Sequence, residues 1–297
     1  MVTVIHKINE LRAIIKDWKK TGLSIGLVPT MGALHNGHAS LIEKSAQTCD
    51  KTVVSVFVNP TQFGINEDFS KYPRTLDKDV ELANNVGADI VFAPSAEEMY
   101  GENYNKDLLT LVCPPYDLVN QLCGKSRPGH FDGVASVVSK LFNITTPDYA
   151  FFGQKDAQQL FIIKKMVEDL NFDIKTVPCP IVREDSGLAI SSRNQYLSEQ
   201  EKTEALSLSK ALFTIKKYVE QGITETQYLF DAGISVLSKN AELEYLNFID
   251  YDKFEKVDTI KNNTLVAICA KIGSTRLIDN IIIELWKKIH LQHKYSN

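Results

Sequence analysis

The fold is decided by the stretch LSIGLVPTMGALHNGH, which occupies residues 23–38. Residues 23–28 form a short apolar run that ends at Pro29, and such a run is typical of a strand buried in a parallel sheet. A polar loop at 30–37 follows, and apolar residues then recur at helical spacing over 38–49. The stretch therefore predicts a strand, a loop and a helix in immediate succession.

The same alternation continues along the chain. Residues 51–58 and 88–92 are further strands closed by prolines, and residues 76–86 form a helix between them. This order predicts a parallel sheet with right-handed crossovers. The elements predicted next are a helix at 133–142, a strand at 149–152, a helix at 157–170 and an extended segment at 172–182. We therefore expect an α/β domain, a parallel sheet flanked by helices, over residues 1–188.

A second, smaller domain is predicted for residues 189–297. The motifs SEQE at 198–201 and TETQ at 224–227 match the capping box that opens a helix. The elements predicted from them and from the apolar pattern are helices at 199–221 and 225–239 and extended runs at 244–249 and 264–270. Helices followed by strands predict an α+β arrangement.

Composition excludes several classes of protein. The 33 basic residues against 37 acidic ones lack the surplus that a nucleic-acid-binding protein needs. The longest apolar runs, at 53–58 and 281–283, fall far short of the roughly 20 residues that span a bilayer, and the N-terminus lacks a signal-peptide pattern. The five cysteines include no Cys-x-x-Cys pair, which favours reduced thiols. We expect a soluble cytoplasmic protein with no nucleic-acid or membrane partner.

The densest polar group follows the first strand. Ligands of open parallel sheets bind beyond the carboxyl ends of the strands, so this loop is well placed to bind a ligand. Gly32 and Gly37 would let the backbone approach a phosphate closely, and His38 would open a helix whose N-terminus favours an anion. His35 and His38 would then offer two imidazole donors to a phosphoryl oxygen. Incidental surface or capping histidines, or a zinc site, remain alternatives, but no cluster of cysteines or carboxylates lies nearby and no metal ligand is assigned.

Two further polar groups follow later strands. Asn59 and Gln62 carry amides that can orient a hydroxyl or a carboxylate, although Asn-Pro is also a routine strand-ending turn. In the next group, Lys155 can meet a phosphate, and Asp156 can hold a ribose hydroxyl or merely cap the following helix. Both groups are predicted at the same edge of the sheet as the histidines.

A fourth group, SSRN at 191–194, lies near the predicted domain boundary. Two hydroxyls and the Arg193 guanidinium in succession suit a mobile phosphate clamp. A polar loop between domains is the alternative interpretation.

Together these motifs carry a family resemblance. They are PTMGALHNGH at 29–38, NPTQFG at 59–64, GQKD at 153–156 with Gln159, and SSRN at 191–194, with YPR at 72–74, RPGHF at 127–131 and GSTRLIDN at 273–280. In this order the motifs closely resemble the pantothenate synthetase (pantoate–β-alanine ligase) family over nearly the whole chain. The His-x-Gly-His element alone marks the wider nucleotidylyltransferase superfamily.

The resemblance implies a two-step reaction. Pantoate attacks the α-phosphate of ATP to give pantoyl adenylate and pyrophosphate, and the amine of β-alanine then displaces AMP to give pantothenate. The resemblance also implies Mg²⁺ arriving with ATP, a Rossmann-like N-terminal domain, a C-terminal lid and a homodimer.

The resemblance further assigns residues to roles. The residues implied for ATP are Met31, Gly32, Ala33, Leu34, His35, Asn36, Gly37, His38, Gly153, Gln154, Lys155, Asp156, Val182, Ile190, Ser191, Ser192 and Arg193. The residues implied for the other substrates are Met31, Asn59, Gln62 and Gln159, and the catalytic set is His35, His38, Lys155 and Arg193. By the resemblance His38 is a proton donor, whereas we favour hydrogen-bond donation to phosphate oxygens.

Some residues depart from the family pattern or are ambiguous. Gln154 stands where Glu is common, and Ile190 stands where Met or Leu is usual. Asp77 and Asp79 are either close to Mg²⁺ or simply the exposed start of a helix.

Rival functions stay open at this point. Transfer of a nucleotide to a phosphate acceptor should require more basic residues near Gln62, and a tRNA ligase fits poorly with the net charge of -4. A silent nucleotide-binding homologue should have lost phosphate-facing residues, yet the whole catalytic set is present.

Overall fold

The structure, a computed structural model, describes residues 1–64, 67–102, 104–105 and 108–285. The chain divides into two compact units, Met1–Val182 and a second that begins at Arg183. The boundary expected at 188/189 lies six residues further along. Arg183 belongs to the second unit because its guanidinium pairs with Asp279 at 2.6 Å and its backbone bridges to Ala189.

The sheet of the first unit is parallel throughout, with strand order β1-β4-β3-β2-β5-β6. Its strands are β1 (Thr3–Ile5), β2 (Ile25–Thr30), β3 (Lys51–Val56), β4 (Ile90–Phe92), β5 (Tyr149–Gly153) and β6 (Lys175–Cys179). The chain builds outward from β2 to β4 on one side and then continues at β5 on the other. The strand order therefore reverses next to β2, and the carboxyl edge at such a point is where ligands bind.

Helices flank this sheet, as predicted. They are α1 (Ile8–Lys20), α2 (Asn36–Thr48), α3 (Leu76–Asn85), α4 (Ala96–Tyr100), α5 (Tyr116–Val119), α6 (Leu122–Ser126), α7 (His130–Thr145) and α8 (Ala157–Asp169). The predicted α/β class is confirmed. The sequence analysis did not predict β1, α1 or the short helices α4 to α6. A three-residue strand and helices of four or five residues leave almost no periodicity, whereas α1 does have apolar residues at helical spacing, among them the buried Leu11 and Ile15.

The second unit places helices beside an antiparallel sheet, which confirms the predicted α+β arrangement. Its helices are α9 (Glu199–Glu220) and α10 (Thr226–Ile234), and its sheet has the order β10-β9-β7-β8. The strands are β7 (Ala241–Asp250), β8 (Glu255–Lys256), β9 (Thr264–Ile272) and β10 (Thr275–Ile283). The last residues of the predicted domain, 286–297, lie outside the described residues.

Only one of the two predicted capping boxes forms. Ser198 and Glu201 cap α9 reciprocally, as predicted. The second box is wrong, because the Thr224 carbonyl instead accepts a hydrogen bond from the backbone of Ile260, and Glu225 bridges to Thr259. This pairing holds the segment extended, so α10 starts later and has no side-chain cap.

Along the described stretches, none of the helices has the length and apolar character needed to cross a bilayer.

Candidate active site

Three of the four predicted polar groups lie at one edge of the first unit's sheet. Strands β3, β2 and β5 are parallel neighbours, so the segments that follow them lie side by side. Those segments contain the groups at 59–64, 29–38 and 153–159. The first two groups touch directly, because Gln62 Nε2 lies 3.1 Å from the Met31 sulfur.

The helix after β2 starts two residues earlier than predicted. It begins at Asn36, with His35 as its N-cap, and His38 is its third residue. Gly37 N donates to His35 Nδ1 at 3.1 Å, and His35 N donates to His38 Nδ1 at 3.3 Å. These bonds explain the early start, because they satisfy amides that the first turn of a helix leaves without intrahelical partners.

The same two bonds decide which ring nitrogen carries the proton. A backbone N–H can only donate, so both Nδ1 atoms must hold a lone pair. In the neutral imidazole the proton is then on Nε2, on the far side of the ring. The two half-buried rings have centroids 4.0 Å apart, so the Nε2 donors of His35 and His38 form a pair. Capping is thus part of what the histidines do, and it uses only the Nδ1 side of each ring.

Both imidazoles are held neutral. Burial, followed by the charge of Lys155, lowers the pKa of His35 from 6.5 to about 4, while Asp156 opposes the shift. Burial, followed by His35 and Lys155, lowers the pKa of His38 well below 6.5. Neutral rings at pH 7 can donate hydrogen bonds to an anion but carry no readily released proton. Both rings can therefore serve as hydrogen-bond donors at Nε2, and the choice between this role and the proton-donor role of His38 stays a prediction.

The loop between β2 and α2 is held by a carboxylate from another helix. Asp79 of α3 accepts hydrogen bonds from the backbone of Ala33 at 3.1 Å and of Leu34 at 2.8 Å. In this loop Gly32 and Ala33 have positive φ angles, 82° and 50°. Of the two interpretations left open, the exposed helix start fits Asp77 but not Asp79, which is 1% exposed because its carboxylate faces the loop.

Asn59 precedes a 3₁₀ turn, Pro60–Gln62, that follows β3, and Gln62 is the last residue of that turn. The Asn59 amide is buried and engaged at both ends. Its Oδ1 accepts from the backbone of the turn and from the Tyr100 hydroxyl, and its Nδ2 donates to Gln62 Oε1 and to the Gly133 carbonyl, both at 3.1 Å. Asn59 therefore caps a strand-ending turn, as the alternative interpretation held, and it also orients the Gln62 amide.

A chain of hydrogen bonds, buried at its inner end and partly buried at its outer end, holds the backbone of Gln62. His130 Nδ1 donates to the Gln62 carbonyl at 2.9 Å, and His130 Nε2 accepts from the Arg127 guanidinium at 2.9 Å. Arg127 in turn makes two bonds, of 2.9 and 2.5 Å, to Glu67. Since arginine only donates and a carbonyl only accepts, His130 is the Nδ1–H tautomer. Burial, followed by Arg127, lowers its pKa to about 4 and keeps it neutral.

The group after β5 lies beside the histidine pair. It forms a 3₁₀ turn, Gln154–Asp156, that leads into α8. Asp156 is at the N-cap of α8 but makes no capping hydrogen bond, so nothing supports a role in capping alone. Lys155 and Asp156 are near enough to move the pKa of His35 in opposite directions.

The fourth group lies in the second unit. Ser191 Oγ accepts from Arg193 N at 3.3 Å and starts a 3₁₀ turn, Ser192–Tyr196. Buried Asn194 donates from Nδ2 to the Ala189 carbonyl at 3.0 Å. The segment is therefore a folded turn of this unit, and its contact with a nucleotide stays a prediction.

Most of the predicted site residues are half-buried, including Gln159, Val182 and Ile190. The exceptions are the exposed Asn36 and Asp156 and the buried Gly32, Asn59 and Gln62. Within the described residues, nowhere do three or more His, Cys, Asp or Glu side chains gather in a way that could hold a metal ion.

Sequence patterns missed the residues that hold this site together. Asp79 acts on a backbone amide 45 positions away, Tyr100 on Asn59 41 positions away, and His130 on Gln62 68 positions away. An acidic residue near a helix start and the RPGHF motif were visible, but no local pattern connects either of them to its partner.

The tautomers can be observed directly. Imidazole ¹⁵N NMR should show Nε2–H rings for His35 and His38 and an Nδ1–H ring for His130, because backbone and arginine partners dictate each choice. None of the three should titrate between pH 6 and 8, since their pKa values are lowered. Single His→Ala variants assign the signals. A proton on Nδ1 of His35 or His38 would contradict the geometry.

The chain matches the family model described as pantoate-β-alanine ligase over residues 3–282. It is 51% identical over 288 residues to a pantothenate synthetase from Acetivibrio thermocellus, covering 95% of this chain and 99% of that relative.

Solved structures agree. Pantothenate synthetase from Thermus thermophilus has a TM-score of 0.88 at 37% identity, covering 95% of this chain and all of that one. Pantoate-β-alanine ligase from Francisella tularensis, solved as a complex with β,γ-ATP and β-alanine, has a TM-score of 0.77 at 34% identity, covering 95% and 98%. By sequence over almost its whole length, and by fold, the chain belongs to the pantoate–β-alanine ligase family.

Proposed function

We propose that this chain joins pantoate to β-alanine in two steps, through a pantoyl adenylate. A member of this family is an ATP-dependent ligase that forms pantothenate. In the first step a pantoate carboxylate oxygen bonds to the α-phosphorus of ATP, and pyrophosphate leaves. In the second, the amine of β-alanine bonds to the acyl carbon, AMP leaves, and the amine nitrogen loses a proton. ATP supplies the leaving group, so no nucleophile of the protein is needed.

The observation that carries the proposal is the pair of Nε2–H donors beside Lys155. The charge that develops in the first step is on phosphate oxygens, and preorganised donors stabilise such charge without reorganisation. His35 and His38 meet that need as neutral rings held by backbone amides. Lys155 would add positive charge to the same phosphates. The glycine-containing loop from Met31 to His38 and the turn Gln154–Asp156 would line the nucleotide.

The side-chain amides of Asn59 and Gln62, after β3, are suited to binding pantoate. We assign pantoate to Gln62 and Gln159, with Met31 and Asn59 beside them, and we place β-alanine near Gln62. A neutral amide can orient a carboxylate or hydroxyl without the strong binding of the ground state that a cation would add. Asn59 and His130 hold Gln62 from its side chain and from its backbone, which favours a fixed orientation.

We also assign residues of the second unit to the nucleotide. Ser191, Ser192 and Arg193 carry the hydroxyl and guanidinium groups that bind phosphate. Ile190 and, from the first unit, Val182 would supply apolar contacts to the nucleotide.

Mg²⁺, a homodimer and the cytoplasm complete the proposal. As the family resemblance implies, Mg²⁺ would enter as part of the ATP substrate, held by its phosphates. The family resemblance supports the homodimer. None of the five cysteines, all of which the structure describes, is in a disulfide, and this is in keeping with a reducing compartment.

Exchange of labelled pyrophosphate into ATP tests the first step. With Mg²⁺ present and β-alanine left out, we expect exchange that depends on pantoate, because adenylate formation is reversible. Omission of pantoate is the control. If a protein that binds ATP shows no exchange with pantoate, the proposal fails in favour of a silent homologue or a transferase with another acceptor.

Two substitutions of His38 compare the roles of its two ring nitrogens. His38→Ala should lower kcat by roughly 10²–10³, the usual loss for one preorganised donor. His38→Asn keeps an acceptor near the Nδ1 position but has no donor at the Nε2 position, so we expect a loss of similar size. The exposed His6→Ala is the matched control. A change below about threefold in both His38 variants would contradict the phosphate role.

Gln62→Ala should weaken pantoate far more than ATP. Loss of one polar contact costs about 1–3 kcal/mol, so the KM for pantoate should rise roughly 10- to 100-fold while the KM for ATP changes little. Steady-state kinetics with each substrate varied makes the comparison, and the exposed Gln47→Ala serves as control. Equal losses for the two substrates would mean that Gln62 supports the loop and does not contact pantoate.

A further inference from the structure

We propose that Asp79 is a positioning residue for the adenylation step. Its carboxylate holds the backbone of Ala33 and Leu34 and so fixes where the Nε2 atoms of His35 and His38 point. The functional part of this inference rests on the phosphate role proposed for the two histidines.

The carboxylate is turned away from the helix that carries it. Asp79 lies in the first turn of α3, where an acidic side chain ordinarily bonds the free amides of its own helix. Thr75, the N-cap of α3, makes no side-chain capping bond, and its hydroxyl instead donates to Asp79 Oδ1 at 3.2 Å. Both carboxylate oxygens then accept from the loop of the preceding β–α unit, Oδ2 from Ala33 and Oδ1 from Leu34.

The loop needs such a partner. Ala33 has a φ of 50°, in the left-handed region that side chains with a Cβ rarely adopt, and Gly32 before it has a φ of 82°. This backbone turns two successive N–H groups toward one point, which makes a site for an anion. A buried carboxylate fills that site in this chain. The packing is close, because a Cβ on Gly32 would lie 3.0 Å from Asp79 Oδ2.

The backbone that Asp79 holds is one peptide bond away from the first of the two histidines. Leu34 directly precedes His35, the N-cap whose backbone amide bonds to His38. If Ala33 relaxed to negative φ, the chain would enter α2 from a different direction, and both rings would move. A displacement of about 1 Å at reacting groups can cost roughly 10²-fold in rate.

Asp79→Asn tests the proposal with little change in shape. An amide has one oxygen, so one of the two backbone N–H groups would face an NH₂ group. In pantoate-dependent pyrophosphate exchange we expect kcat to fall roughly 10- to 100-fold, with the KM for pantoate within twofold of wild type. The control is Asp77→Asn, the same change at an exposed position of the same turn, which should stay within about twofold of wild-type activity. Equal activities of the two variants would overturn the proposal.

A double-mutant cycle separates positioning from general destabilisation. Glycine adopts positive φ without strain, so the loss caused by Asp79→Asn should be at least about threefold smaller in an Ala33→Gly background than in wild type. Equal losses in the two backgrounds would overturn the link to the loop. If Asp79→Asn does not fold, Thr75→Val can be used instead, because it removes one donor to the Asp79 carboxylate. It should lower kcat at least about threefold, and a smaller effect would overturn the proposal.

A structural readout keeps this inference distinct from the proposed function. The imidazole ¹⁵N shifts of His35 and His38 should move in Asp79→Asn and stay unchanged in Asp77→Asn, whether or not the protein exchanges pyrophosphate. Unmoved shifts would overturn the positioning role. Absent exchange in wild type, with moved shifts in Asp79→Asn, would reject the adenylation chemistry and keep the loop contact.

Discussion

The active site depends on the fact that a backbone amide can donate a hydrogen bond but cannot accept one. At the start of α2, two such amides bond to the Nδ1 atoms of His35 and His38 and leave each neutral ring with its proton on Nε2. Burial and the charge of Lys155 then lower the pKa values of both imidazoles and so disfavour a second proton on either ring. The groups that cap the helix and the donors that we propose for a phosphate are therefore opposite sides of the same two rings.

His130 shows that the partner determines the tautomer, whatever the residue type. Between a carbonyl and a guanidinium it must be the Nδ1–H form, the opposite of the histidine pair. The helix-cap bonds orient His35 and His38, and the bond from His130 orients Gln62, so both sets of bonds fix residues of the proposed site. Fixed orientation of donors and amides is the kind of contribution expected of an enzyme that relies on ATP for its leaving group.

Much of the fold and the family followed from short-range patterns. Apolar runs that end in prolines, with helical spacing between them, were enough for the parallel sheet, and the motif strings at 29–38, 59–64, 153–156 and 191–194 were enough for the family. Errors arose where a distant partner competed with a local signal. TETQ at 224–227 has the letters of a capping box, but Ile260 takes the Thr224 carbonyl. Asp79 is in the first turn of a helix, where an acidic residue is ordinarily exposed, but its carboxylate is buried because it accepts hydrogen bonds from the backbone of Ala33 and Leu34.

By itself, the sequence determined the class of fold, the edge of the sheet that carries the polar loops and the membership of the family, and it supplied the set of residues that we propose to face the substrates. All of these depend on residue type and spacing within about ten positions, which is the range of strand and helix periodicity. Only the tertiary structure decided the tautomer of His130, the burial of Asp79 and the hold on Gln62. Those properties depend on hydrogen bonds whose two ends can be more than 40 residues apart, and it is folding of the sheet that brings such ends together.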